Sequence, residues 1–178
     1  MAVPPRSIAA SALACGGLLV ALTLGSCRDD PRPSLSDVPV RVDRIAIDHF
    51  DSPVVVLEEK GGPRWLPIWI GTAEARSIAM QIERRRSPRP NSHDLTRDLI
   101  HSLDGSVERV VVTELRDGTY YAVLGVLQRG RLVEIDARPS DAIAIALRDG
   151  APIFVRDTLF ERVSGLEADE EAPPEQEI

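Results

Sequence analysis

The sequence has little cysteine, few aromatic side chains and no excess of positive charge. Two cysteines occur in 178 residues, and aromatic residues make up 4% of the chain. Cys15 lies in an apolar stretch that we expect to be removed, so neither a disulfide nor a cysteine metal cluster is available to the remaining chain. A stable fold must come from a core of valine, isoleucine, leucine and alanine.

The charge balance is acidic, with a formal net charge of −7. Many of the acids lie at residues 166–178, a segment without a base that we expect to be disordered. The remaining body is close to neutral, whereas proteins that hold a phosphate backbone usually carry an excess of Lys and Arg. The overall charge therefore gives no support for nucleic-acid binding.

One basic cluster is a local exception to this balance. It follows an apparent helix and consists of Arg84, Arg85, Arg86 and Arg89. These arginines are candidates for nucleic-acid contact. The alternative is a solvated helix end, where positive side chains favour the negative end of the dipole.

The first 27 residues contain one charge, Arg6, followed by an uncharged stretch of apolar and small residues. This pattern predicts a secretory signal. The ending Leu24-Gly25-Ser26-Cys27 resembles the lipobox of bacterial lipoproteins, in which the cysteine is lipid-modified after cleavage. We therefore expect lipid attachment at Cys27 and a location in the cell envelope, on the extracytoplasmic side of a bacterial membrane. An uncleaved anchor and an ordinary signal are the alternatives.

The domain organisation follows from these segments. We expect a lipoprotein signal peptide at 1–26, a polar tether at 27–37, one folded domain at 38–163 and an acidic tail at 164–178. The folded part is long enough for one domain with a sizeable core and short for two.

Strand patterns and helix patterns alternate in the folded part, which predicts an α+β fold with a mixed β-sheet. The strand patterns occur at 38–47, 53–57, 65–70, 107–115, 119–127, 132–136 and 153–155. Asp117-Gly118 predicts a type I′ hairpin because both central positions need positive φ, and Arg129-Gly130 indicates a second tight turn. These turns join three strands into an antiparallel meander, with Glu114 opposite Tyr121 and Asp136 opposite Val123.

Three main helices are predicted from apolar residues spaced three and four apart. We expect Thr72 to cap the first, Asn91 or Ser92 the second and Ser140 the third. Basic residues 84–86 would end the first helix, Gly105 the second and Gly150 the third. Apolar residues on both faces of the central meander strand need cover from helices or from a second copy, so we expect a homodimer.

The junction between the last meander strand and the third helix contains Asp136, Arg138 and Asp141. One interpretation is structural: Asp141 complements the helix dipole and Arg138 pairs with an acid. The other is a site in which Asp136 and Asp141 bind Mg²⁺ or Mn²⁺ through oxygen, while Arg138 holds a phosphate. Residue types alone leave both interpretations open.

His93 is the other candidate for chemistry, because an imidazole can act as a general base or acid. A surface residue or cap partner at a helix start is the alternative. No Ser/His/Asp triad spacing, phosphate-binding glycine loop or zinc motif is present. The residues by themselves indicate a lipid-anchored α+β domain without naming its chemistry.

Several motifs, taken together and in order, resemble the bifunctional nuclease domain family between about Val40 and Glu161. They are Leu66–Gly71, Glu74-Ala75, Arg89-Pro90 with His93-Asp94-Leu95, Arg116–Ala122, Asp136–Ala144 and Ala151–Val155. The resemblance implies a small α+β domain with a mixed sheet, usually dimeric, and an ability to degrade DNA and RNA. The resemblance does not identify an agreed set of catalytic residues.

Two functions from different classes follow. The first is a metal-assisted phosphodiesterase, in which Asp136 and Asp141 hold the metal, Arg138 steadies the phosphate and His93 handles a proton. The second is a lipid-anchored dimeric binding module that takes a partner or a small anionic ligand in the same pocket. Convergence of the two carboxylates, with room for a metal, would favour the first.

Overall fold

The computed structural model describes residues 37–161, which form a seven-stranded sheet with three main helices. The strands are β1 (Asp37–Ile47), β2 (Pro53–Glu59), β3 (Trp65–Trp69), β4 (Gly105–Arg116), β5 (Thr119–Gln128), β6 (Arg131–Ala137) and β7 (Ile153–Arg156). The helices are α1 (Thr72–Ile82), α2 (Ser92–Ser102) and α3 (Pro139–Asp149), and a helical turn occupies residues 157–161. Cys27 and the acidic tail lie outside the described residues.

The sheet is mixed, with strand order β3-β2-β1-β7-β4-β5-β6. β1 to β3 form one antiparallel unit, and β4 to β6 form the predicted meander. β7 lies between these units, antiparallel to β1 and parallel to β4. The predicted α+β class and mixed sheet are confirmed, and the Pro67-containing strand β3 lies at an edge.

The two tight turns of the meander have the predicted backbone. φ is 49° at Asp117 and 73° at Gly118, and the Arg129-Gly130 turn also has positive φ at both positions. The register follows from them, since Glu114 pairs with Tyr121 and Val123 with Asp136. The hairpin rule therefore determined which meander side chains share a face.

The core lies between one face of the sheet and the helices. Its fully buried side chains include Leu57, Leu66, Ile78, Val110 and Ile143. α3 is central to this layer, because it contacts α1, α2, β4 and β5. Three of its residues, Ala142, Ala144 and Ala146, are fully buried, and their small side chains allow close approach.

The start of α3 differs from the prediction. The residue at the cap is Arg138, with φ −67° and ψ 142°, and Ser140 is a buried residue of the first turn. Pro139 explains the shift, because proline favours the first helical position and holds its predecessor in an extended conformation. The prediction that Ser140 caps this helix is therefore wrong.

The first helix also begins one residue earlier than predicted. Gly71, not Thr72, is the cap residue. A Cβ added at Gly71 would clash with Oε2 of Glu74, so the carboxylate of Glu74 folds back over this position. Acidic residues at the third helical position commonly turn back in this way.

Two predicted helix ends are also corrected. α1 stops at Ile82, so residues 84–86 follow the helix, and the left-handed backbone falls on Arg84 at φ 55°. α2 stops at Ser102, and Asp104 rather than Gly105 has positive φ, while Gly105 begins β4. Gly150 ends α3 with φ 71°, as predicted. At the end of α2, Asp104 takes the place of glycine, because a short polar side chain tolerates positive φ.

α2 has no buried residue, although its sequence has an apolar stripe. Leu95, Leu99 and Leu103 are each more than half exposed. Val133 and Ile135 on the edge strand β6 are also exposed. Within residues 37–161, no helix has the length and apolar character needed to cross a membrane.

Candidate functional site

The predicted junction between β6 and α3 forms a cluster of charged side chains around Arg138. Its Nε donates to Oδ2 of Asp141 at 2.6 Å, and its Nη2 donates to Oδ1 at 3.0 Å. Nη2 also donates to Oε1 of Glu74 on α1 at 2.9 Å. The side chain of Arg138 is 68% exposed, so two carboxylates hold one edge of the guanidinium while the rest faces solvent.

His93 joins this cluster from the first turn of α2. Its Nε2 lies 3.1 Å from Oδ1 of Asp141, and its Nδ1 lies 2.9 Å from Oγ of Ser77 on α1. The structure therefore brings together three of the four predicted catalytic residues, from two different helices. Both ring nitrogens of His93 have a partner, which is the geometry of a residue that positions its neighbours.

A buried polar network behind His93 was missed by sequence reasoning. Arg148 of α3, with 4% of its side chain exposed, donates from Nε to Asp94 Oδ1 at 2.6 Å and from Nη2 to Ser77 Oγ at 2.8 Å. Asn91 caps α2 in a reciprocal capping box with Asp94. Asn91 was one of the two predicted caps of this helix. Ser77 also accepts from Nδ2 of Asn91 at 3.0 Å. The sequence did contain one signal for this network: Ser77 lies on the apolar face of α1, where a buried hydroxyl group needs a hydrogen-bond partner.

Hydrogen bonds control the charge of the two acids in this network. Burial alone would raise the pKa of Asp141, but hydrogen bonds from Arg138 and His93 outweigh it and hold the pKa below the ordinary value. The pKa of Asp94 is lowered in the same way, against burial, by the Asn91 backbone and by Arg148. Both side chains are therefore carboxylates at neutral pH.

Asp136 lies apart from this cluster. It is exposed on β6, and its side chain forms no hydrogen bond or ion pair within residues 37–161. Both oxygens of Asp141 are engaged by Arg138 and His93. No group of three His, Cys, Asp or Glu side chains in the described part of the chain is arranged to hold a metal ion. In this arrangement the donor set does not fit a site formed by Asp136 and Asp141.

The predicted basic cluster lies in the loop between α1 and α2. Arg84, Arg85, Arg86 and Arg89 are all exposed. Arg85 and Arg86 line a cleft of about 500 Å³ together with Arg97 and the buried Arg148. Asp94 and Asp98 line the same cleft, so its charge is mixed. The arginines are accessible to an anionic ligand, as nucleic-acid contact requires.

Comparison with known proteins identifies the family. The family model described as the bifunctional nuclease domain matches residues 55–167, which is more than half of the chain. The chain belongs to the bifunctional nuclease domain family. The resemblance noted in the sequence is thereby confirmed, although the matched region begins after β1.

Known proteins match this chain at two levels of identity. An uncharacterized protein of Mycobacterium tuberculosis strain H37Rv is 44% identical over 137 residues, which cover 75% of this chain and 82% of the relative. Bifunctional nuclease 1 of Oryza sativa subsp. japonica is 29% identical over 105 residues, or 57% of this chain and 32% of the relative. A bifunctional nuclease of Oryza minuta matches to the same extent. The match therefore covers only one segment of each rice relative, 32% of its length.

Proposed function

We propose that this chain is a nuclease that cleaves phosphodiester bonds in DNA and RNA, with Arg138 as the group that holds the scissile phosphate. The observation that carries the proposal is which nitrogen atoms of its guanidinium have hydrogen-bond partners. Asp141 and Glu74 engage Nε and Nη2, whereas Nη1 has no partner within the described residues. The two N–H groups of Nη1 therefore face solvent. The guanidinium is planar and permanently charged, and phosphate oxygens accept hydrogen bonds from such a group.

The neighbouring residues give Arg138 a fixed orientation. Asp141 holds its Nε edge, and His93 holds Asp141 from the other side. Preorganised donors stabilise charge that develops in the transition state without the cost of reorientation. In this proposal His93 acts as a positioning residue, and Arg138 is the catalytic residue that touches the phosphate. Membership of the bifunctional nuclease domain family supports nucleic acid as the substrate.

The test is cleavage of single-stranded DNA, duplex DNA and RNA by purified protein. Arg138→Ala should reduce cleavage about a hundredfold, which is a common loss for one transition-state donor. Arg41→Ala is the matched control, because Arg41 also pairs with a carboxylate, Glu58, but on the exposed surface of β1. Equal cleavage by both variants would reject Arg138 as the catalytic residue. Nucleic-acid binding without cleavage would favour the binding module.

Use of Mg²⁺ or Mn²⁺ is a separate hypothesis with its own test. Asp136 is exposed and has no side-chain partner within residues 37–161, so Asp136→Asn should leave the fold intact. The metal hypothesis expects this variant to cleave no faster than wild-type protein treated with a chelator. Cleavage equal to that of the untreated wild type would remove Asp136 from the site.

We also propose lipid anchoring at Cys27 and a homodimer. The anchor rests on the sequence Leu24-Gly25-Ser26-Cys27 and its place after an apolar stretch. The dimer rests on the exposed leucines of α2 and on the exposed Val133 and Ile135 of β6. A contiguous apolar surface is uncommon on a monomer and is usually covered by a partner, so the dimer requires these side chains to share one surface. A location in the cell envelope would limit the substrate to extracytoplasmic nucleic acid.

A further inference from the structure

A second cleft, of about 430 Å³, is lined in part by Arg138, and none of its lining residues belongs to the buried network behind His93. Three separate segments line it: the end of β3 with Trp69, the β4–β5 turn with Gly118 and Tyr120, and the start of α3 with Arg138 and Ser140. These segments belong to three of the motifs singled out in the sequence. β3 and β5 are far apart in the strand order, so the cleft joins parts of the fold that are not neighbours in the sheet.

Ser140 is the unusual residue in this cleft. It is 6% exposed, yet its hydroxyl forms no hydrogen bond with any described residue. The oxygen itself is not fully enclosed, so solvent in the cleft reaches it and a ligand there can replace that solvent. Because Ser140 lines the cleft, a ligand there is in position to supply the missing partner.

The backbone around Ser140 also presents donors. Arg138 caps α3 without a side-chain hydrogen bond, and Pro139 has no N–H group. The N–H groups of Ser140 and Asp141 therefore open the helix at the positive end of its dipole. Ser140 and Arg138 both line the cleft, so the Ser140 N–H group and the free Nη1 of Arg138 are donors available to an anion there. Glu74 and Asp141 offset the charge of Arg138, so binding depends on directed hydrogen bonds more than on net charge.

The opposite wall of the cleft is aromatic. Trp69 is 58% exposed, and its indole Nε1 donates to Oδ2 of Asp48 at 2.9 Å. Oδ1 of Asp48 accepts from the backbone of Phe50 and Ser52, so the loop before β2 holds the indole in place. An exposed aromatic ring with a fixed orientation is a stacking surface for a planar base.

From these observations we infer that the cleft binds one nucleotide unit, with its phosphate at Ser140 and Arg138 and its base against Trp69. The choice of a nucleotide as ligand rests on the proposed function, whereas the binding itself requires no cleavage. The two ends of the ligand are recognised by different residues. Each end can therefore be tested separately.

The experiment is calorimetric titration of the purified full chain with AMP, adenosine and inorganic phosphate. Ser140→Ala should weaken AMP and phosphate on the order of tenfold and leave adenosine unchanged, because only the phosphate meets the hydroxyl. Trp69→Ala should weaken AMP and adenosine on the order of tenfold and leave phosphate unchanged. Ser92→Ala, in the first turn of α2, and Trp65→Ala, on the same strand as Trp69, are the matched controls.

Stability measurements keep this test interpretable. Because the Ser140 hydroxyl has no partner in the described residues, Ser140→Ala should melt no earlier than the wild type. The inference is overturned if AMP does not bind, if either variant weakens all three ligands equally, or if both behave as their controls. AMP binding without nuclease activity would support the inference and reject the proposed function. Nuclease activity without AMP binding would do the reverse.

Discussion

The hydroxyl oxygen of Ser77 lies 2.9 Å from Nδ1 of His93, and this oxygen already accepts hydrogen bonds from Arg148 and Asn91. A hydroxyl group has two acceptor sites and one hydrogen. With both acceptor sites taken, Ser77 must donate its hydrogen to Nδ1. The proton of the neutral imidazole then lies on Nε2, where it is donated to Asp141.

We therefore predict that neutral His93 is the Nε2–H tautomer. Nitrogen-15 NMR of the imidazole distinguishes the two tautomers directly. His49 is the internal reference, since it is exposed on a turn and its ring contacts Phe50. An Nδ1–H signal for His93 would contradict the hydrogen-bond order in this network.

Arg148→Ala should lower the free energy of unfolding by about 3–5 kcal/mol, because it leaves the carboxylate of Asp94 without its partner in a partly buried site. Arg41→Ala should cost less than about 1 kcal/mol, since its pair with Glu58 is exposed. Urea unfolding of the two variants measures the difference. Similar losses for both would mean that the network behind His93 contributes little to stability.

The acid stability of the protein should depend on Asp141. Its folded pKa lies below the ordinary value, so ionised Asp141 stabilises the fold above pH about 4 and this contribution is lost as the pH falls through the lowered pKa. Asp141→Asn should therefore flatten the fall in unfolding free energy on the acid side. Asp136→Asn, exposed and outside the cluster, should follow the wild-type curve. Parallel curves for all three proteins would contradict the lowered pKa.

Cys27→Ser tests the lipid anchor. If Cys27 is the modified residue, the variant should move from the detergent-extracted membrane fraction into the unprocessed or soluble pool and should not incorporate labelled lipid. Cys15→Ser is the matched control, because Cys15 lies within the apolar stretch of the predicted signal. Unchanged fractionation and labelling of the Cys27 variant would reject the anchor.

Leu99→Glu tests the proposed dimer. Leu99 is more than half exposed on α2, so a charge there should be tolerated by the monomer but should disrupt an apolar interface. Light scattering at micromolar concentration should show a dimer for the wild type and a monomer for the variant. Ile82→Glu, exposed at the end of α1, is the control and should remain dimeric. A monomeric wild type would reject the proposal.

The strands and turns were accessible from the sequence because their signals are local. Asp117-Gly118 specified both a turn and a register, and that register placed Asp136 opposite Val123. Helix starts were less accessible, since Pro139 and the folded-back Glu74 shift them by one or two residues. A cap is decided by competition between neighbouring residues, and a list of good capping residues does not resolve that competition.

The candidate site was predictable only in part, because its contacts join residues far apart in the chain. Arg138 and Asp141 are three residues apart, so their pairing could be expected on a helix. Glu74 and Ser77 reach the site only because α1 packs against α3. Asp136 was grouped with Asp141 on sequence proximity, yet strand geometry gives it an exposed position without a side-chain partner among residues 37–161. Proximity in sequence does not determine proximity of side chains at a strand-to-helix junction.

The position of β7 has a consequence for the order in which the protein folds during synthesis. This four-residue strand joins the two antiparallel units, and its Asp37–Arg156 pairing spans almost the whole described range. Until residue 156 has left the ribosome, β1 and β4 each have an open edge, and each unit lacks its partner. Open edges pair readily with other chains. The nascent chain is therefore most prone to aggregation just before its last strand is complete.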